Sequence, residues 1–409
     1  MKRMDDMKAF NENTVITSVP DDRATFIAEN LDMVGVFNGS VAYAVPEYVV
    51  IDVTNACNCN CVACWSYSPL LGKQKASRQW RKQQLTFEVT KKLIDELARL
   101  GAKEIRLTGG GEPFMHPDVM KIIRHIKANG MICSVTTNFT LIDEKRIDEL
   151  LSLGLDVLTA SIWAGDSETY HITHPNQSKS TFAKIQRVMK HLDSRGPIAP
   201  RLVISNVITN LNYQNIDRMI LFAQEVGAQE VYFAVVDPIA GATDALLLND
   251  SQRWAVCDNI HRWQGELEGC EDFRLEGIDQ FTRRLSNPES TRGIYDGEIT
   301  NEVPCYAGWM FARIMADGNV CPCCRGVNVP TGNVYRDHFA AIWNGPKQKA
   351  FRRLALTGDK LSSPYFQNIG CQKSCDNLWQ NLWMHERISK LTPDQRDMLL
   401  EMNNMLEGI

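Results

Sequence analysis

Between residues 46 and 265 six apolar runs alternate with amphipathic stretches, and this alternation constrains the fold more than any other feature of the chain. The runs fall at 47–54, 103–108, 131–137, 155–162, 201–208 and 230–236. Helical periodicity fills the segments near 86–100, 117–129, 142–153, 180–194 and 213–226, with a sixth near 250–264. In the second of these, Pro117 suits a first helical position, Val119, Ile122, Ile123 and Ile126 form one stripe, and Gly130 ends it. Strands alternating with helices predict a parallel sheet with crossover helices. Six such units make either a doubly wound sheet or an open barrel, and in both the chemistry gathers at the C-terminal ends of the strands.

Two unusual stretches stand at those ends. Cys57, Cys61 and Cys64 follow the first apolar run (Val49, Val50, Ile51, Val53). Tetrahedral zinc and a cubane iron–sulfur cluster each take four ligands. A three-thiolate loop therefore borrows a ligand, as a zinc knuckle completed by Cys59 or a distant His would, or keeps one position open for a substrate. The second run, Lys103 to Thr108, leads into Gly109-Gly110-Gly111-Glu112-Pro113. Glycines there leave backbone groups uncovered for a close-lying ligand, and Glu112 offers a carboxylate to a cationic amine.

The C-x3-C-x2-C loop after the first strand and the Gly-Gly-Glu-Pro string after the second together resemble the radical S-adenosylmethionine (SAM) superfamily. The resemblance covers roughly residues 46–265 and implies a partial (β/α)6 TIM-type barrel. It implies that Cys57, Cys61 and Cys64 hold a [4Fe–4S] cluster whose open iron is chelated by SAM. Gly110, Gly111, Glu112 and Pro113 would hold the SAM amino group. In that family polar residues at the ends of the middle strands contact the ribose and carboxylate, and Thr136, Asn138, Ser161 and Asn206 are the positions that match, although each also suits a turn or cap. The chain departs from the family at Ala63, where an aromatic residue usually precedes the third cysteine; Trp65 stands just after it.

A second cysteine group follows residues 266–300, which show no clean periodicity and read as a connector. It comprises Cys305, then Cys321, Cys323 and Cys324 after the tight-turn pair Asp317-Gly318, then Cys371 and Cys375. Cys305, twelve residues, Gly318, four residues, Cys323 resembles the opening of the SPASM and Twitch auxiliary-cluster domains. The C-x2-C-x5-C-x3-C tail of a full SPASM domain is absent, so the shorter Twitch arrangement is expected, with Cys305, Cys323, Cys371 and Cys375 holding one auxiliary [4Fe–4S] cluster. Cys321 or Cys324 can replace Cys323 on spacing alone, and a structural zinc site would satisfy the same four thiolates. The expected layout is an N-terminal extension (1–45), the barrel (46–265), the connector (266–300), the auxiliary domain (301–385) and a C-terminal helix (386–409).

Thirteen cysteines, of which four fall in residues 57–64 and six in residues 305–375, argue for metal in a reducing compartment rather than for disulfides. A net charge of −5 gives no general footprint for nucleic acid. The basic stretch Lys73, Lys75, Arg78, Arg81 and Lys82 reads as a solvated face or a contact for an anionic group. No signal-type or membrane-length apolar span occurs, so a cytoplasmic protein without membrane partners is expected. The resemblance implies reductive cleavage of SAM to a 5′-deoxyadenosyl radical, hydrogen abstraction from a substrate, and an electron donor such as flavodoxin or ferredoxin. A net oxidation would use the auxiliary cluster, whereas an epimerisation would need a thiol, for which Cys59, Cys133, Cys321 and Cys324 are spare. The 45 residues before the first strand are short for the leader-binding module of peptide maturases, which favours a small sugar- or aminocyclitol-like substrate from natural-product or surface-glycan biosynthesis over a ribosomal peptide. A non-enzymatic iron–sulfur or zinc redox sensor is the alternative of another class, and it has no use for the glycine–glutamate motif.

Overall fold

The computed structural model describes residues 21–407. Seven parallel strands run in sequence order: β1 (Tyr48–Asp52), β2 (Glu104–Thr108), β3 (Ile132–Thr137), β4 (Val157–Ser161), β5 (Arg201–Ile208), β6 (Glu230–Val235) and β7 (Arg274–Glu276). Because the order never reverses, each right-handed crossover places its helix on the same face of the sheet. That geometry is the open barrel and excludes the doubly wound alternative.

The crossover helices Phe87–Arg99, Val119–Ala128, Glu144–Ser152, Lys179–Asp193 and Ile216–Glu225, and Asp250–Glu266 after β6, lie where the apolar periodicity places them. Thr86 caps the first, its hydroxyl accepting from the Val89 N–H. The stripe of Val119, Ile122, Ile123 and Ile126 is buried against the sheet. Alternate strand residues such as Val49, Ile51, Ile105, Leu107, Val135 and Leu158 are fully buried beneath the helices. Their neighbours Arg106, Ser134, Thr136, Thr159, Ser161 and Ser205 are half-buried on the inner face. The inner face of the barrel is thus polar while its outer face forms the core.

The segment expected as a connector carries order of its own. β7 pairs in parallel with β6, and helices Ile278–Ser286 and Gly297–Glu302 follow. A three-residue strand is too short to show alternation, so the sequence carried no sign of it.

At the other edge, β8 (Ala312–Ile314) pairs in parallel with β1, and β9 (Asn319–Cys321) and β10 (Gly332–Asn333) continue antiparallel. One ten-stranded sheet therefore joins the barrel to the cysteine-rich segment. The turn between β8 and β9 is Asp317-Gly318, with Gly318 at φ +85°. Arg313 of β8 pairs with the buried Asp52 of β1 at 2.7 Å and donates to the Cys324 carbonyl at 3.0 Å, locking the junction. At the chain ends, helices Leu378–Ser389 and Pro393–Glu407 return to helix Leu31–Asn38, where Asn38 Nδ2 donates to Asn403 Oδ1 at 3.0 Å.

Candidate cluster and cofactor sites

The cysteine loop leaves the C-terminal end of β1 and is tied down on several sides. Val62 N–H donates to the Thr173 carbonyl at 2.9 Å, and Cys64 N–H to the Cys61 carbonyl at 3.0 Å. Cys57 Sγ accepts from Cys59 N–H and Cys64 Sγ from Tyr67 N–H, each at 3.4 Å. Burial pushes the Cys57 thiol up to about 12. Cys61 is also raised, first by its hydrogen bond with the Cys59 thiol and then by burial. Thiols this reluctant to ionise become thiolates when a metal centre takes them.

The glycines of the second motif leave room for a neighbouring stretch of the chain. A Cβ on Gly111 would lie 2.1 Å from the Ala56 carbonyl oxygen, and one on Gly110 would lie 2.3 Å from Asn55 Oδ1 and 2.7 Å from the Trp80 ring. The close-lying partner of this backbone is the start of the cysteine loop itself, and Glu112 N–H donates to the Ala56 carbonyl at 2.7 Å. Glu112 is buried, with its carboxylate accepting from Thr137 Oγ1 (2.7 Å), Asn138 N–H (2.7 Å) and Phe114 N–H (3.1 Å). Burial outweighs these three donors and raises the carboxyl to about 7. Of roughly four lone-pair positions on a carboxylate, one remains for a cation. Pro113 opens the short turn Pro113–Met115 beneath it.

The middle-strand residues separate. Thr136 and Ser161 face the inner side of the barrel, with Trp163 Nε1 donating to Ser161 Oγ at 2.9 Å. Asn138 Nδ2 donates to Asn58 Oδ1 at 2.9 Å, and its Oδ1 accepts from Thr140, so it braces the cysteine loop. Asn206 does not join them. Ser161 pairs in register with Ser205, so the next residue turns to the opposite, helix-covered face, where Asn206 is fully buried and neither amide atom has a hydrogen-bond partner. Ser205 and Val207 hold the inner positions.

Sequence reasoning missed two features at this end of the barrel. Phe139 and Trp163, just past β3 and β4, adopt left-handed φ of +63° and +57°. Such strain in bulky residues concentrates at functional sites. Trp163 packs with Val62, Ala63, Val236 and Leu246 beside Cys61 and Val207. Helix Ser167–Thr173 was also missed; it sets the buried Tyr170 hydroxyl, itself without a partner, towards Cys59 and Cys61. The N-cap Asp166, which accepts from Thr169 N–H at 2.8 Å, was the available signal. Trp65, following Cys64, is half-exposed, donates to the Asp237 carbonyl at 3.2 Å and lies 5.8 Å from the Arg325 guanidinium.

In the C-terminal segment Cys305, Cys323, Cys371 and Cys375 line one cavity together with Lys360 and Ser374. Cys321 lies outside that lining, buried on β9. Cys324 lies outside it too, close enough to Tyr48, Tyr232 and Arg313 to act on them electrostatically. Among the described residues no three His, Cys, Asp or Glu side chains are placed to grip a single metal ion. Tetrahedral zinc would need thiolates about 3.8 Å apart. Thiols spread around a cavity fit a cluster, which carries its own inorganic core.

Comparison with known proteins finds matches over both segments. Residues 51–225 match the model of the radical SAM superfamily, and residues 305–377 match that of an iron–sulfur cluster-binding domain, SPASM. The AdoMet-dependent heme synthase of Methanosarcina barkeri is 26% identical over 320 residues, covering 76% of this chain and 84% of that protein. A PqqA peptide cyclase of Ruegeria pomeroyi is 25% identical over 290 residues, covering 70% and 69%. The structure of Streptococcus suis SuiB bound to S-adenosylmethionine superposes with a TM-score of 0.61 at 15% identity, covering 90% of this chain and 84% of that one, a likeness of fold. The chain carries a radical SAM domain and, C-terminal to it, a SPASM iron–sulfur cluster-binding domain. It is an enzyme of the kind that carries a C-terminal SPASM domain, binding SAM and [4Fe–4S] clusters. No helix of the described residues is long and apolar enough to cross a membrane.

Proposed function

We propose that this enzyme removes a hydrogen atom from a small polyhydroxylated molecule, of sugar or aminocyclitol type, in a net oxidation or epimerisation. The observation that carries the reading is a band of hydroxyls across the inner face: Thr136 pairs in register with Thr159, and Ser161 with Ser205 and then Tyr232. All five are half-buried. A ligand rich in hydroxyls matches such a band donor for acceptor.

Cys57, Cys61 and Cys64 are read as the ligands of the SAM-binding cluster, and Cys305, Cys323, Cys371 and Cys375 as those of the auxiliary one. When bound, SAM and its cluster supply a 5′-deoxyadenosyl radical able to attack an unactivated C–H bond. Glu112 offers its remaining lone pair to the SAM amine, while within the band the half-buried Thr136 and Ser161 face the rest of that ligand and leave Thr159, Ser205 and Tyr232 for the substrate. Gly110 and Gly111 hold the cysteine loop against the end of β2, and Asn138 braces it from β3. The Arg313–Asp52 and Arg325–Asp237 pairs close the auxiliary segment over both edges of the barrel and so limit water entry. An acidic electron carrier of the flavodoxin or ferredoxin type supplies the reducing equivalent.

The test is hydrogen transfer into 5′-deoxyadenosine. Reconstituted enzyme is given SAM, a reductant and either perdeuterated sugars and aminocyclitols or deuterated peptides, and the nucleoside is weighed by mass spectrometry. Deuterium arriving from the polyhydroxylated set supports the reading. Deuterium arriving from peptides alone replaces it with peptide modification, the activity named for the PqqA peptide cyclase relative.

A further inference from the structure

The cavity lined by Cys305, Cys323, Cys371 and Cys375 has two further side chains whose placement has no structural explanation in those four thiols. Lys360 is 5% exposed, and its ammonium donates to the Val303 carbonyl at 2.9 Å. It has no carboxylate within ion-pair distance among the described residues, and it is close enough to act electrostatically on Cys305 and Cys371. Ser374 is 2% exposed, and its Oγ, in the lining of the same cavity, has no hydrogen-bond partner among the described residues. A buried ammonium with no carboxylate in ion-pair contact, only the longer-range influence of Asp359, and a buried hydroxyl with no hydrogen-bond partner among the described residues are each costly. Both costs disappear if the cavity holds an anion with hydrogen-bond acceptors. A thiolate-ligated iron–sulfur cluster is such an anion, and it gains one more negative charge on reduction.

We infer that Lys360 and Ser374 are positioning and tuning residues of the auxiliary site, which raise the reduction potential of the cluster there and equip it as a one-electron acceptor. The inference rests on the reading of the four cysteines as cluster ligands. Burial by itself disfavours the more negative, reduced form, whereas a nearby cation and a hydroxyl donor to sulfur favour it; charge and hydrogen bonding are the established levers on such potentials. The reduced state also strengthens both interactions, so they act differentially on the two oxidation states. Asn381 adds a weaker donor, its Nδ2 lying 3.8 Å from Cys375 Sγ. A purely structural cluster needs none of these groups. This favours net oxidation over epimerisation for the enzyme, since an oxidation leaves one electron to be accepted.

The experiment is an EPR-monitored redox titration of full-length chain carrying Cys57→Ala, Cys61→Ala and Cys64→Ala, which leaves the auxiliary site alone. Iron is counted first. About four irons per chain uphold the ligand reading, and none would remove both that reading and this inference. In loaded protein, Lys360→Met is expected to shift the midpoint potential downward, Lys360→Arg to restore most of the shift, and Ser374→Ala to shift it downward by less. Ser374→Ala removes one oxygen and leaves the packing intact, so it decides the matter even if Lys360→Met fails to load. Midpoints equal to the parent's in every loaded variant would overturn the inference.

Discussion

Glu112 shows how one side chain couples the two halves of the SAM-binding region. Its carboxylate is gripped by three donors from β3 and its own turn, while its N–H holds the cysteine loop. Folding raises this carboxyl from 4.5 to about 7, because burial outweighs the hydrogen bonds. The folded chain therefore keeps a proton that the unfolded chain releases between those values. The stability due to this residue declines as pH rises from about 4.5 to 7 and stays low above that, by about 3 kcal/mol in all. Glu112→Gln is expected to flatten that part of the pH dependence, measured by denaturant unfolding of the SAM-free protein at pH 5 and pH 8. A dependence identical in the variant would assign it to other groups. The neighbouring glycine makes a sharper case. A methyl on Gly111 meets Ala56 and Asn55 backbone rather than a movable side chain, so Gly111→Ala is expected to displace the cysteine loop. Iron should fall by about four per chain, with the auxiliary cluster retained. Full iron with weakened SAM binding would instead show that the glycine serves the ligand directly.

At the scale of elements, the junction of β1 with β8 is held by a buried ion pair. Asp52 is 1% exposed and Arg313 is its partner, and removing one member of a buried pair costs about 3–5 kcal/mol. Arg313→Met is expected to loosen β8, β9 and β10 from the barrel first. Hydrogen–deuterium exchange should then rise across residues 312–333 while β3 to β5 stay protected. Uniform exchange across the chain would mean that the sheet unfolds as one unit. The six barrel strands could be read from the sequence to within about two residues, because each pairs a buried outer face with a bounded apolar run. The missing pieces share a physical reason. β7 is three residues long and gains its pairing from a strand far along the chain, and helix Ser167–Thr173 spans two turns. Asn206 is a different case. Leu202, Val203 and Ile204 are apolar on both faces, which hides the alternation, and only the pairing of Ser161 with Ser205 shows which way Asn206 points. The cysteines were legible because spacing carries their chemistry; the left-handed turns at Phe139 and Trp163 were not, because no residue type announces them.

In the molecule as a whole, the cysteine loop and the auxiliary cavity are linked through a cation–aromatic contact. Trp65, next to Cys64, meets Arg325, which lines the auxiliary cavity and pairs with Asp237 past the end of β6. If the two sites hold separate clusters with separate duties, removing one leaves the other's duty intact. Wild-type protein reconstituted without oxygen is expected to hold about eight irons, and the Cys57/Cys61/Cys64→Ala variant about four. The converse variant, Cys371→Ala with Cys375→Ala, is expected to keep reductive cleavage of SAM to 5′-deoxyadenosine, because those two cysteines line only the auxiliary cavity, far along the chain from the loop at the end of β1. Completion of substrate turnover should fail in it, since the electron left by an oxidation then has no acceptor. Cluster thiolates also hold small segments together, and Cys375 N–H donates to the buried Asp296 at 2.9 Å, so the fold of the variant needs checking by circular dichroism and thermal melting. A folded variant that turns over substrate normally would leave the auxiliary site a structural one, and a folded variant that no longer cleaves SAM would show that the two sites work as one.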